Sequence, residues 1–186
     1  MIARLSKMMA SFFVCNEVIK NEDEEVYEYL LSTVFNGIIA LILTIISGTV
    51  LQCVCYLAVF VLLRKSAGGF HAKTHFGCCC ILAVVLSLFI IFIKFVPNEV
   101  YGIVAAIAAA VSVVIILMFA PSEHENKPIS DKDKSRLRKI SIIYAILFAL
   151  LVFALFIAKL KMIMICIALG MFTASSSMLV AVIEKR

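Results

Sequence analysis

Residues 26–63 read VYEYLLSTVFNGIIALILTIISGTVLQCVCYLAVFVLL, an almost unbroken apolar run. Built as one helix at 1.5 Å per residue, the run would be about 57 Å long. A bilayer's hydrocarbon core is only about 30 Å thick. The run therefore folds back once. Ser47-Gly48-Thr49 is the place for the turn, because glycine reaches backbone conformations that other residues avoid. This predicts a first span near 28–46 and a short second span near 50–63. Arg64 and Lys65 follow immediately, and their long stems can lie along the apolar surface while the charges reach the headgroups.

The same pattern continues outward. Apolar stretches near 77–94, 100–120, 140–158 and 162–183 predict four more spans, separated by Pro97-Asn98-Glu99, a polar loop over 121–139, and Lys159-Leu160-Lys161. The chain is 64% hydrophobic, with a mean hydropathy of +1.13; soluble domains hold roughly 45–50% apolar residues. The fold class is thus all-α: one polytopic membrane domain over 1–186 with about six transmembrane helices. Ahead of the spans, Leu5, Met8, Met9, Phe12, Cys15 and Ile19 recur at three- and four-residue steps, with Arg4, Lys7, Ser11, Glu17 and Lys20 opposite. Residues 2–20 are expected as an amphipathic helix lying in the membrane interface. A cleaved signal peptide fits less well, since polar residues interrupt any hydrophobic centre. The alanine-rich middle of the fourth span, Ala105 to Ala110, permits close helix packing, and Ser175 to Ser177 in the sixth are expected to bond helix carbonyls or neighbouring helices.

Charge sets the expected orientation. With six spans and the N-terminus inside, the inner segments hold fourteen lysines and arginines and the outer turns only Lys94, Lys159 and Lys161. That is a strong positive-inside bias. Both termini, the segment after Arg64 and the 121–139 loop are expected on the cytoplasmic side of the membrane. The net charge of +5 is read as topology and not as a nucleic-acid signal. Seven cysteines, an odd number with several inside apolar runs, do not form a disulfide framework. A reduced, cytoplasm-facing setting suits them.

One segment breaks the apolar pattern: Arg64-Lys65-Ser66-Ala67-Gly68-Gly69-Phe70-His71-Ala72-Lys73-Thr74-His75-Phe76-Gly77-Cys78-Cys79-Cys80. A thiol beside an imidazole is a ready nucleophile for acyl chemistry. His71 and Cys78 stand seven apart, about 10.5 Å along a continuous helix, so a direct pair requires the bend that Gly68, Gly69 and Gly77 permit. A helical segment would instead pair His75 with Cys78 or Cys79. Spacing leaves both open. Two other readings compete. Two histidines and three cysteines offer zinc ligands, although vicinal cysteines lack the usual two-residue gap. Alternatively, the cysteines pack as small apolar residues and the histidines hydrogen-bond at the interface.

Arg64, Ala67-Gly68-Gly69, His71-Ala72 and Cys78 together resemble the signature of the accessory gene regulator B family, bacterial membrane endopeptidases that process a quorum-sensing pheromone precursor. The resemblance extends along the chain to Ala120-Pro121 and Asn126-Lys127-Pro128-Ile129 followed by a basic run. It implies a catalytic pair of His71 and Cys78, supported by Arg64, Gly68 and Gly69, with no metal and no cofactor. It implies a substrate with an amphipathic leader, a central segment with its own cysteine or serine, and an acidic C-terminal tail. It also implies a homodimer. Lys132, Lys134, Arg136, Arg138 and Lys139 would then hold the acidic tail, beside their plainer service to topology. The rival from another class is a small peptide transporter or export channel without proteolysis. Few charges lie within the spans, which disfavours ion translocation.

Overall fold

The computed structural model of the chain describes residues 24–70, 75–122 and 131–184. Six helices make up the described chain: α1 (Glu24–Ser47), α2 (Val50–Ala67), α3 (His75–Phe95), α4 (Tyr101–Phe119), α5 (Asp131–Ile157) and α6 (Lys161–Glu184). No strand occurs among the described residues. The expected interfacial helix at 2–20 lies outside them. Five helices, α2 to α6, hold stretches long and apolar enough to cross a membrane, and Val34–Ser47 of α1 is a shorter apolar stretch. The hairpin at Ser47-Gly48-Thr49 is present: α1 ends at Ser47, Gly48 has φ +68°, and α2 starts at Val50.

Two helix boundaries differ from expectation, for one reason. The second helix does not stop at Leu63 but continues through Arg64 and Lys65 to Ala67. At 18 residues it is about 27 Å long, close to a full span and not a short one. Likewise α5 starts at Asp131, so Lys132, Lys134, Arg136, Arg138 and Lys139 stand on the opening turns of a helix and not in a loop. Hydrophobicity marked where the membrane ends, but helix formation follows backbone preference. Arginine, lysine and alanine are good helix formers, so polar helix runs on until glycine or proline stops it.

The chain packs as two compact units. One comprises Met1–Gly48 with Ala72–Leu88, and the other Thr49–His71 with Phe89–Arg186. The first therefore holds α1 and most of α3. The second holds α2, the end of α3, α4, α5 and α6, and α6 is its centre, with Met164, Ile165, Ala168, Met171, Ala174 and Met178 among its buried residues. Gly170 lets α2 approach α6, for a Cβ there would stand 2.8 Å from the Tyr56 carbonyl oxygen. Against α4, the small residues Ala105, Ala108, Ala109 and Ser112 form the buried face, and Ser175 Oγ donates to Ser112 Oγ at 3.3 Å. Tyr56 Oη donates to Thr173 Oγ1 at 2.9 Å, and its ring stacks on Phe89 at 4.2 Å. Small residues and hydrogen bonds are what join helices where lipid removes the hydrophobic drive. Exposed leucine, isoleucine, valine and phenylalanine side chains cover the outer faces, as a bilayer requires.

Candidate active centre after helix α2

Helix α2 ends because Gly68 takes φ +80°, a conformation that glycine enters without steric cost. Gly69 follows at φ +154°, and the chain leaves the helix as a short extended strap. The strap is held on two sides. On one, the Ser122 N–H donates to the Ala67 carbonyl at 2.9 Å, and Gly68 pairs with Ser122 as an isolated parallel bridge. On the other, the Phe70 N–H donates to the Ser177 carbonyl of α6 at 3.0 Å. Neither glycine has room for a side chain. A Cβ on Gly68 would meet the Ser122 oxygen, and one on Gly69 would stand 2.9 Å from Ser177 Oγ.

Arg64, in the last turn of α2, closes the arrangement. Its Nη2 donates to the Phe70 carbonyl, and its Nη1 donates to Ser177 Oγ at 3.3 Å. The guanidinium lies 5.5 Å from the centre of the Phe60 ring, within the range of a cation–π interaction. Arg64, Gly68 and Gly69, which the sequence reading set side by side, are thus gathered into one structure. Ser122 and Ser177 complete it, and sequence reasoning missed both as members of the site. They lie far along the chain, and no spacing rule links them to the motif. The one signal was the serine run at 175–177, expected to bond neighbouring elements, which Ser175 and Ser177 do.

His71 follows the strap directly and lies outside the described residues. Helix α3 begins at His75 and carries the three cysteines in its opening turns. Cys78 is half-buried, Cys79 buried and Cys80 exposed. A helical start puts His75 one turn before Cys78 and Cys79. Among the described residues no group of three or more histidine, cysteine, aspartate or glutamate side chains is placed to hold a metal ion.

Of the five cations assigned to the acidic tail, Lys134, Arg136, Arg138 and Lys139 present exposed side chains near the start of α5. Cations are not favoured at a helix N-terminus, whose dipole is already positive. With Asp131 and Asp133 interleaved, five cations against two carboxylates leave the opening turns of α5 net positive.

The family model for accessory gene regulator B matches residues 6–181 of the chain. Among curated proteins, Putative AgrB-like protein 2 of Clostridium perfringens (strain 13 / Type A) is 29% identical over 153 residues, covering 76% of this chain and 71% of that protein. Putative AgrB-like protein of Clostridium perfringens (strain SM101 / Type A) is 28% identical over the same shares. Protein FsrB of Enterococcus faecalis (strain ATCC 47077 / OG1RF) is 30% identical over 113 residues, covering 60% of this chain and 46% of that protein. No solved structure matches the chain.

Proposed function

The chain belongs to the accessory gene regulator B family, and we propose that it is a membrane cysteine endopeptidase that cleaves and cyclises a quorum-sensing pheromone precursor. The observation that carries this reading is the Arg64-to-Cys78 motif itself. It falls within the family match, its Gly68-to-Phe70 strap is pinned by Ser122 and Ser177, and Cys78 stands half-buried near the start of α3.

The reaction runs in two acyl transfers. His71 takes the proton of the Cys78 thiol, and the thiolate attacks the carbonyl carbon of the bond that joins the precursor's central segment to its acidic tail. The C–N bond breaks, the leaving amine takes the proton held by His71, and the tail departs. The central segment remains as a thioester on Cys78. The precursor's own thiol then gives its proton to His71 and attacks the thioester carbon. Cys78 leaves and recovers a proton from the imidazolium, and the product is a thiolactone ring. A precursor with serine at that position gives a lactone. Thiol–thioester exchange is nearly balanced in energy, so productive cyclisation requires that water be kept from the first thioester. An apolar, membrane-level centre supplies that exclusion.

The cations at the start of α5 hold the acidic tail. The positive-inside distribution of the charges supports a cytoplasmic side for these cations, both termini and the active centre, where the precursor is made, and the family resemblance supports a homodimer. The test is mass spectrometry of the purified protein incubated with a precursor. The expected result is an adduct on Cys78 equal in mass to the precursor without its acidic tail. An adduct on Cys79, or cleavage that survives Cys78→Ala and stops with a zinc chelator, overturns the assignment.

A further inference from the structure

We propose that the open cavity between the α3–α4 turn and the α5–α6 turn binds the phosphate of an anionic lipid headgroup, with Lys159 and Lys161 as its cations and Asn98 as a hydrogen-bond donor. The cavity has a volume of about 380 Å³ and is lined by Asn98, Lys159, Leu160, Lys161, Met162 and Ile163. That is within the usual size of a small-molecule site, roughly 300–1,000 Å³. All six residues belong to the second compact unit. Lys161 opens α6 and Ser177 stands in its later turns, about 24 Å along the helix axis. The cavity therefore lies at the other end of α6 from the Gly68-to-Phe70 strap, and the inference does not rest on the endopeptidase reading.

A tight turn holds the two lysines close together. The Lys159 N–H donates to the Phe156 carbonyl at 3.1 Å, and the Leu160 N–H donates to the Leu155 carbonyl at 3.0 Å. This pair of bonds closes α5 on a left-handed residue. Lys159 is that residue, at φ +59°, and α6 follows at once from Lys161. Both lysine side chains are exposed. Two ammonium groups confined to one turn repel each other, and an anion between them replaces that repulsion with attraction. Glu99 adjoins Asn98 in sequence but does not line the cavity, so the wall holds two cations and no carboxylate. Membrane orientation does not account for the pair. The charge pattern reserves most lysines and arginines for the other membrane end, and only Lys94 joins Lys159 and Lys161 at this one.

The rest of the wall says which anion fits. Leu160, Met162 and Ile163 are apolar, and Phe156 and Ile157, the last residues of α5, are exposed. Apolar surface thus continues from the turn onto the membrane face of the bundle. Cations beside apolar surface match the order of groups in a phospholipid, with its phosphate at the lysines and its glycerol and acyl chains along the apolar side chains. Lysine stems can lie on apolar surface while their charges stand at headgroup level. Bonds from an ammonium to a phosphate are charge-assisted and stronger than neutral ones, and basic pockets between transmembrane helices are where lipid headgroups bind. A headgroup with its own ammonium would bring a third cation against Lys159 and Lys161. The site therefore selects headgroups of net negative charge over zwitterionic ones.

The experiment is native mass spectrometry of the full-length protein in detergent, titrated with phosphatidylglycerol and, separately, with phosphatidylcholine of the same acyl chains. The wild-type protein should retain phosphatidylglycerol in preference. Lys159→Gln combined with Lys161→Gln should weaken phosphatidylglycerol binding roughly 10- to 30-fold, the worth of about two cations near a membrane surface, and should remove the preference. Lys159→Arg combined with Lys161→Arg should keep both. Lys94→Gln is the charge control. It removes the same charge as Lys161→Gln from the same membrane end but outside the cavity, and it should leave binding unchanged. Undiminished phosphatidylglycerol binding in the double glutamine variant would overturn the proposal. Equal losses in Lys94→Gln and Lys161→Gln would also overturn it, in favour of diffuse surface charge. Glycerol phosphate, which carries the phosphate without acyl chains, should not displace the lipid at equal concentration. Displacement by it would mean a free-anion site and would overturn the lipid assignment.

Discussion

A Cβ built on Gly68 would overlap the carbonyl oxygen of Ser122. The two residues are joined as a bridge, and the neighbouring Ala67 carbonyl takes the Ser122 N–H. The exit from α2 and the segment after α4 are thus laid against each other with no space for a side chain between them.

Gly68→Ala is accordingly expected to fail twice over. It places a Cβ on a residue at φ +80°, a strain on the order of 1–3 kcal/mol, and it drives that atom into the Ser122 backbone. Thermal unfolding in detergent should show a lowered midpoint, and precursor cleavage should be lost even at temperatures where the variant stays folded. Wild-type cleavage by Gly68→Ala would mean that the strap does not set the active centre.

The cysteines separate by position. Cys78→Ala should abolish cleavage. Cys78→Ser should be nearly inactive, because a hydroxyl is far harder to deprotonate than a thiol with a reference pKa of ~8.5. Cys80 is exposed, so Cys80→Ala should leave both stability and activity intact. Cys79 is 3% exposed; Cys79→Ala removes a buried sulfur, costs about 1 kcal/mol in stability, and leaves cleavage in place. His71→Ala should abolish turnover and His75→Ala should be tolerated. Initial rates of precursor cleavage by the purified variants decide each case.

Neutralising Lys132, Lys134, Arg136, Arg138 and Lys139 together by glutamine should weaken binding of a precursor with an acidic tail, most strongly at low salt, and flatten the dependence of binding on salt. A titration at several ionic strengths measures this. If insertion is normal and the binding curves match those of the parent protein, these cations serve orientation alone.

Sidedness is checked by cysteine labelling in intact cells with a membrane-impermeant maleimide. A cysteine placed at the exposed turn residue Asn98 should label, and one placed at Ser130 should not, each judged against the background of the parent protein. The opposite pattern would move the active centre to the outer face.

Hydropathy alone carried the architecture. The run at 26–63 had to fold back because its helix would exceed the bilayer, and Ser47-Gly48-Thr49 was readable as the turn because glycine there is a local, backbone-level fact. The segment from Arg64 to Cys80 stood out in the same way, as a break in the apolar pattern, while the pairing of His71 with Cys78 came from the family resemblance and not from spacing. What only the tertiary structure decided is where α2 and α5 stop and start, and what the motif's support is. Arg64, Lys65 and the cations at 132–139 read as edges of the membrane, yet they are helical, because backbone preference and hydrophobicity are independent quantities that change at different residues. Ser122 and Ser177 carry no mark of their role in composition, period or spacing. They enter the site because the fold brings the segment after α4 and the last helix against Gly68, Gly69 and Phe70. The bonds concerned are largely to backbone atoms, which every residue possesses, so no pattern of side chains along the chain announces them.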